Sequence, residues 1–423
     1  MGLFGIYFNR MNACSLLKRA APALFFGFLL AFSSNVGQTF FIALFSGEIR
    51  NDLELSHGRF GAIYSAATLG SAIVFLWLGK STDKYDLPLL GAITLLGLSG
   101  CMIVIANTYS VFVLCLALFG MRLLGQALPG HIAITAMARW FSAERGRAIS
   151  IATLGYPVGE ALLPILVATF LTFLTWREIW VHGSLIMLIV LLPAMLWSSH
   201  LLRSRNLDRN QQLLPEKTNE GLKCWTRAQV LRDQRFYILL PGLLAPPFII
   251  TGVLFHQVHL VEMKSWLLPE FASCYPLYAI SATIVTLVAG WMVDRFGAVY
   301  LLQFYLLPLA FGLALIGCID EFYVAPVFMA LIGASAGGAT VLFGALWAEM
   351  YGTDNLGSIR SLSVTLQVFS TAVAPALLGA LIDVGIRLET QFLVLSLYVF
   401  ICAVVFGWMR RTLSIRQSPP RHA

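Results

Sequence analysis

The chain has 423 residues, of which 58% are hydrophobic and only 12% charged, with a formal net charge of +7. A soluble domain carries about 25% charged residues, so apolar sequence of this density excludes a water-soluble fold. The basic excess is divided among short loops and tails, which argues against a nucleic-acid surface.

A run of about 20 apolar residues crosses a bilayer as a helix. Twelve such runs are predicted, near 22–46, 59–79, 88–107, 109–137, 146–174, 179–199, 236–261, 270–292, 297–318, 322–350, 357–384 and 389–409. The first is not a cleaved leader: it is too long, lacks a small-residue cleavage site, and continues through Gln38-Thr-Phe-Phe. Only one interval is long and polar, 200–235, with Arg203, Arg205, Arg209 and Pro215-Glu-Lys-Thr-Asn-Glu220. The expected plan is an all-α membrane protein with an N-terminal six-helix bundle over 1–199, a linker over 200–235, a C-terminal six-helix bundle over 236–410 and a tail over 411–423. Basic residues set the orientation. With the N-terminus cytoplasmic, 22 of the 28 Lys and Arg fall on the inner side and five on the outer, leaving Arg122 inside the membrane. Both termini and the linker are therefore expected in the cytoplasm, and the localisation is the inner (plasma) membrane.

The two bundles share a loop. Gly79-Lys-Ser-Thr-Asp83-Lys84-Tyr85 returns 211 residues later as Gly290-Trp-Met-Val-Asp294-Arg295-Phe296, after the second run and after the eighth. A duplicated set of six spans with one polar loop in register is the plan of a carrier whose halves rock. Each loop glycine is expected to let two helices approach closely. Each following Asp is expected to pair across helices at the inner mouth, Asp83 with Arg145 or Arg147, and Asp294 with Arg360. Lys84 and Arg295 complete the gate set. The alternative is plain positive-inside anchoring.

These features together resemble the major facilitator superfamily over essentially the whole chain. Arg122-Leu-Leu-Gly125-Gln126 looks like the family's mid-membrane arginine motif. Arg139-Trp140-Phe141 with Arg145-Gly146-Arg147-Ala148 looks like the turn between the fourth and fifth spans. That variant is frequent in the organic-anion branches, such as monocarboxylate and oxalate/formate carriers. Gly155-Tyr-Pro157-Val-Gly159 loosely resembles the fifth-helix motif best known in antiporters. The first loop departs from the pattern by ending Asp86-Leu-Pro88, and the second continues Gly297-Ala-Val-Tyr. The resemblance implies a cavity lined by the first, fourth, seventh and tenth helices.

Arg122 and Glu160 are the charged residues placed deepest, thirteen residues from Tyr109 and from Arg147 respectively, at opposite surfaces. Sequential antiparallel helices bring both to mid-bilayer, so a pair is expected, either for substrate and proton handling or as a structural ion pair. Gln126 lies one turn from Arg122. Asn35 and Gln38 in the first helix, and His256, Gln257 and His259 in the seventh, lie on helices that correspond in the repeat, and the resemblance puts them around the path. Their alternative role is hydrogen bonding between helices. The tenth helix carries no charge at the level of Arg122, which predicts a mostly apolar wall in the second half, shaped by Phe343 and Trp347.

There is no phosphate-binding glycine loop, no nucleophile–base set and no metal spacing among the seven cysteines. No catalytic residues, metal ligands or cofactors are expected, and the chain is not expected to be an enzyme. The expected partners are a small-molecule substrate, a proton and the lipid bilayer, with no nucleic acid and a monomeric state. The leading expectation is a secondary transporter of a small monocarboxylate-like anion. The alternatives are proton-driven efflux of a hydrophobic drug-like compound, siderophore-like compound or metalloid, and a transporter-like sensor without flux.

Overall fold

The computed structural model describes residues 13–141, 145–204, 225–352 and 355–415. They form helices and connections, with no strand among them. α1 covers Ala13–Ser33, passes through a tight turn at Ser34–Gly37 and resumes over Thr39–Ala43. α2 (His57–Leu78) starts where Ser56 turns its hydroxyl back to accept the Arg59 amide at 3.2 Å. α3 (Leu87–Ala106) starts on Pro88, whose missing N–H costs nothing in a first turn. α4 (Val111–Trp140) widens into a π turn at Met121–Ala127. α5 covers Gly146–Phe170 and α6 Trp176–Leu201, the latter opened by a Thr175–Glu178 capping box.

The second half repeats the order with α7 (Gln234–Phe255), α8 (Tyr275–Phe296), α9 (Leu307–Cys318), α10 (Val324–Tyr351), α11 (Leu356–Asp383) and α12 (Leu388–Ile415). Eleven of these helices are long and apolar enough to span a bilayer. The exception is α9. Its predicted run, 297–318, is split into Ala298–Leu301 and α9 proper, with an irregular stretch between. The predicted boundaries shift slightly. Helix continues past 199 to Ser204, and α12 runs beyond 410 to Ile415. Of the linker, 205–224 and four of its eight basic residues lie outside the described residues, as do the first twelve residues and the end of the tail. The linker's last stretch packs on the second half: Trp225 meets the Tyr351 ring edge-on, and its carbonyl accepts a hydrogen bond from Asn355 at 3.1 Å.

The halves meet in a two-fold manner. α2 lies along α11, α5 lies along α8, and the end of the α1 segment meets α7. The end of the bundle that bears Asp83 and Asp294 is called the loop end below, and the opposite one the far end.

Candidate cargo cavity and its gates

At the far end the two halves touch backbone to backbone. A Cβ added to Gly61 of α2 would lie 2.4 Å from the Pro375 carbonyl oxygen of α11, and one added to Gly379 would lie 2.6 Å from the His57 carbonyl. Only glycine permits that approach. The Asp383 carboxylate closes the seam. It accepts from the Ser56 hydroxyl at 2.7 Å, the Gly58 amide at 2.9 Å and the His57 amide at 3.1 Å, so an anion from one half sits on the helix N-terminus of the other. Beside it, Gln257 donates to the Phe40 carbonyl at 2.8 Å and accepts from the Tyr275 hydroxyl at 2.6 Å. Phe255 packs against Phe60 and Tyr64 across the same seam.

The histidines belong to this closure. His256 is buried and donates from Nε2 to the Pro375 carbonyl at 3.1 Å. His259 lies 4.3 Å from His57, ring centre to ring centre, and Arg50 reaches the His57 Nε2 at 3.1 Å. His256, Gln257 and His259 therefore knit the far end together. Further out, Lys264 ion-pairs with Asp320 and holds its carboxyl below the usual carboxylate range.

At the loop end each half holds its own loop. Asp83 pairs with Arg139 at 2.6 Å, a partner outside the expected set, and Arg139 also donates to the Thr82 carbonyl at 2.6 Å. Arg139 ends α4, so it reaches the loop directly. Arg147 begins α5, and the side chain of Arg145 lies outside the described residues. The second copy is anchored by the opposite charge. Gly297 takes φ +86°, a left-handed turn that favours glycine, and the Glu349 carboxylate accepts from the Ala298 amide behind it. Among the described residues Asp294 has no ion pair with Arg360. Arg295 lies over the Trp291 ring at 5.5 Å, and Lys84 is exposed. The loop glycines do not bring helices together here. A Cβ on Gly290 would meet nothing within 4 Å, and one on Gly79 only Phe75 of its own helix.

The expected Arg122–Glu160 pair does not form. Arg122 is 2% exposed and donates to the Gly37 carbonyl at 3.1 Å and the Thr39 hydroxyl at 3.4 Å, with its guanidinium 5.2 Å from the Tyr64 ring centre. The break in α1 leaves carbonyls without helical partners, and Arg122 satisfies the one at Gly37. The approach is tight: Cβ atoms on Gly37 and Gly125 would lie 2.4 Å and 2.6 Å from the facing backbone. The Gln126 carbonyl accepts from Ser34 at 3.2 Å, and Asn35 donates to the Gly155 carbonyl at 3.2 Å. Gln38 sits half-buried at the restart of the helix. Arg122, Gln126, Asn35 and Gln38 thus gather around the broken α1. Glu160 faces the other way, within electrostatic reach of Tyr156, Tyr275 and Tyr278.

The open space lies elsewhere. A cavity of about 440 Å³ sits between α7, α8, α10 and α11. Pro246, Pro247, Tyr278 and Phe343 form its apolar side. Arg360, Ser363 and Gln367 line its α11 wall, with Thr251, Thr340 and Thr371 also contributing. The mostly apolar wall expected of the second half is present, and α11 adds the cation that the tenth helix lacks. Trp347 takes no part, being buried against Phe236 and Tyr351. The cavity's fixed cation is Arg360, not Arg122. The signal was present in the sequence as Arg360, Ser363 and Gln367 at i, i+3 and i+7, a single helix face.

Comparison with known proteins agrees with this architecture. The family model described as Major Facilitator Superfamily matches residues 25–358. A curated relative, the 3-(3-hydroxy-phenyl)propionate transporter of Escherichia coli (strain K12), is 32% identical over 158 residues, 36% of this chain and 38% of the relative. The match therefore spans well under half of that relative's length. Among solved structures, the nucleoside transporter NupG superposes with a TM-score of 0.71 at 13% identity, covering 92% of this chain and 98% of the other. A bacterial homologue of the human lysosomal transporter Spinster, solved inward-facing and unoccupied, gives 0.68 at 14% identity, covering 93% and 98%. The model match over most of the sequence, on a frame of two six-helix halves, gives the conclusion: this multi-pass membrane chain belongs to the major facilitator superfamily.

Proposed function

We propose that the protein is a secondary transporter that moves a small organic acid by alternating access, and that it is held here open to the cytoplasm. The observation that carries this reading is the asymmetry of its ends. Glycine contacts and the Asp383 cap seal the far end, while the cavity reaches Arg360, four residues from the start of α11 at the loop end. The concentration of Lys and Arg on the loop-end side supports a cytoplasmic location for that end and for both termini, in the inner membrane. An acid is supported by the arginine on the cavity and by the aromatic acid named for the curated relative.

Coupling to protons falls to Glu160. It lies where α5 faces α8, beside Tyr278 of the cavity wall, and has no basic partner in Arg122. A carboxyl at that depth carries charge in only one protonation state, and an unpaired charge is costly to keep in a closing interface. Binding a proton there favours the interface that closes around cargo. In proteoliposomes, Glu160→Gln is expected to keep cargo exchange and lose accumulation driven by a pH gradient. Undiminished gradient-driven uptake by this variant contradicts the coupling role. Expulsion of a hydrophobic dye with no acid flux would support the efflux reading in its place.

A further inference from the structure

We propose that α11 carries the face that recognises the cargo. On this assignment Arg360 grips an anionic group, and Gln367 a neutral oxygen roughly 10 Å deeper, at about 1.5 Å per residue. The apolar body between them rests on Phe343, Pro246 and Pro247. The proposal rests on the transport reading above and names the cargo class for the same cavity: an amphipathic acid with a hydroxyl or carbonyl at its far end.

Three observations support it. Arg360, Ser363 and Gln367 share one face of α11 and line one cavity. The Gln367 amide nitrogen is buried and has no hydrogen-bond partner. An unmet buried donor is unfavourable by about 1–3 kcal/mol, and a cargo oxygen removes that penalty. Arg360 is exposed at the rim and does not form the expected pair with Asp294, so its forked donors stay available to a carboxylate without a buried charge in the empty state. An amide at the deep end and a guanidinium at the rim also order the cargo. The charged group stays nearest water, and the uncharged end enters first.

The test uses the full chain in proteoliposomes and three probes: hydroxyphenylpropionate with the hydroxyl opposite the side chain, phenylpropionate, and hydroxyphenylpropionamide. Arg360→Gln is expected to raise KM for both acids about tenfold or more and to leave the weakly carried amide unchanged. Arg360→Lys should recover only part of the loss. Gln367→Leu is expected to raise KM about fivefold for the hydroxylated probes and to leave phenylpropionate unchanged. Equilibrium binding in detergent should give the same ranking, which separates recognition from folding or gating. Equal losses for all three probes in either variant overturn the assignment. If the wild type binds and carries none of the three, the organic-acid reading itself fails. If it carries them and both variants match it, the α11 face alone is wrong.

Discussion

The far end and the loop end use their glycines in opposite ways. Gly61 and Gly379 are pressed against the backbone of the other half, with added Cβ atoms at 2.4 Å and 2.6 Å from it, whereas Gly290 has open space within 4 Å. Yet the loop glycines are the ones marked by the repeat. In this arrangement the duplicated loop is each half's internal fastening, and the seam between halves is held by residues outside the repeat. The two loops are also fastened by opposite charges: Arg139 holds the first through Asp83 and the Thr82 carbonyl, and Glu349 holds the second through the Ala298 amide. A repeat in sequence preserves the place of a loop without preserving its partner.

The contrast is broken most strongly by filling the far-end seam. Gly61→Val puts two methyl groups where a single Cβ already collides with Pro375. Overpacking of this kind costs typically 1–3 kcal/mol, enough to shift the balance between arrangements by about five- to a hundredfold. A cysteine placed at position 386 in a cysteine-free background should then label much faster with an impermeant maleimide. An unchanged rate would show that the seam is not a determinant of closure. Asp383→Asn is expected to act in the same direction but less. It weakens three hydrogen bonds at an exposed helix start, about 1 kcal/mol or roughly a fivefold change in the same labelling. The smallest effect is expected of Asp83→Asn. Its ion pair is largely solvent-exposed and confined to one half, so far-end labelling should move by less than about threefold. A large change there would mean that the loop also latches the halves in this state.

Much of the fold was legible in the sequence because membrane helices announce themselves by length and composition. The repeat located both loops, and Arg122 and Glu160 lie well inside α4 and α5, as counting along the runs predicts. Pairing was not legible, because it depends on helix rotation. The break at Ser34–Gly37 and the π turn at Met121–Ala127 give Arg122 a backbone partner in α1. They leave Glu160 facing α8. The Ser33-Ser34-Asn35 cluster ahead of Gly37 was the visible trace of that break. Arg360 was read as the partner of Asp294 because both sit at the loop end. Its helix face, shared with Ser363 and Gln367, was the better guide. His256 and Gln257 were singled out as polar residues of the seventh run; they lie just past the end of α7, where their hydrogen bonds bind helices at the far end.

The central claim is that the seal between halves passes from one end to the other. The most direct measurement is a pair of spin-label distances in liposomes, one between positions 54 and 386 at the far end and one between 85 and 296 at the loop end. Both are followed with and without hydroxyphenylpropionate under a pH gradient. The account predicts reciprocal change: in a cargo-dependent fraction of molecules the far-end distance lengthens while the loop-end distance shortens. Transport with both distances fixed, or with both moving in the same direction, would contradict it.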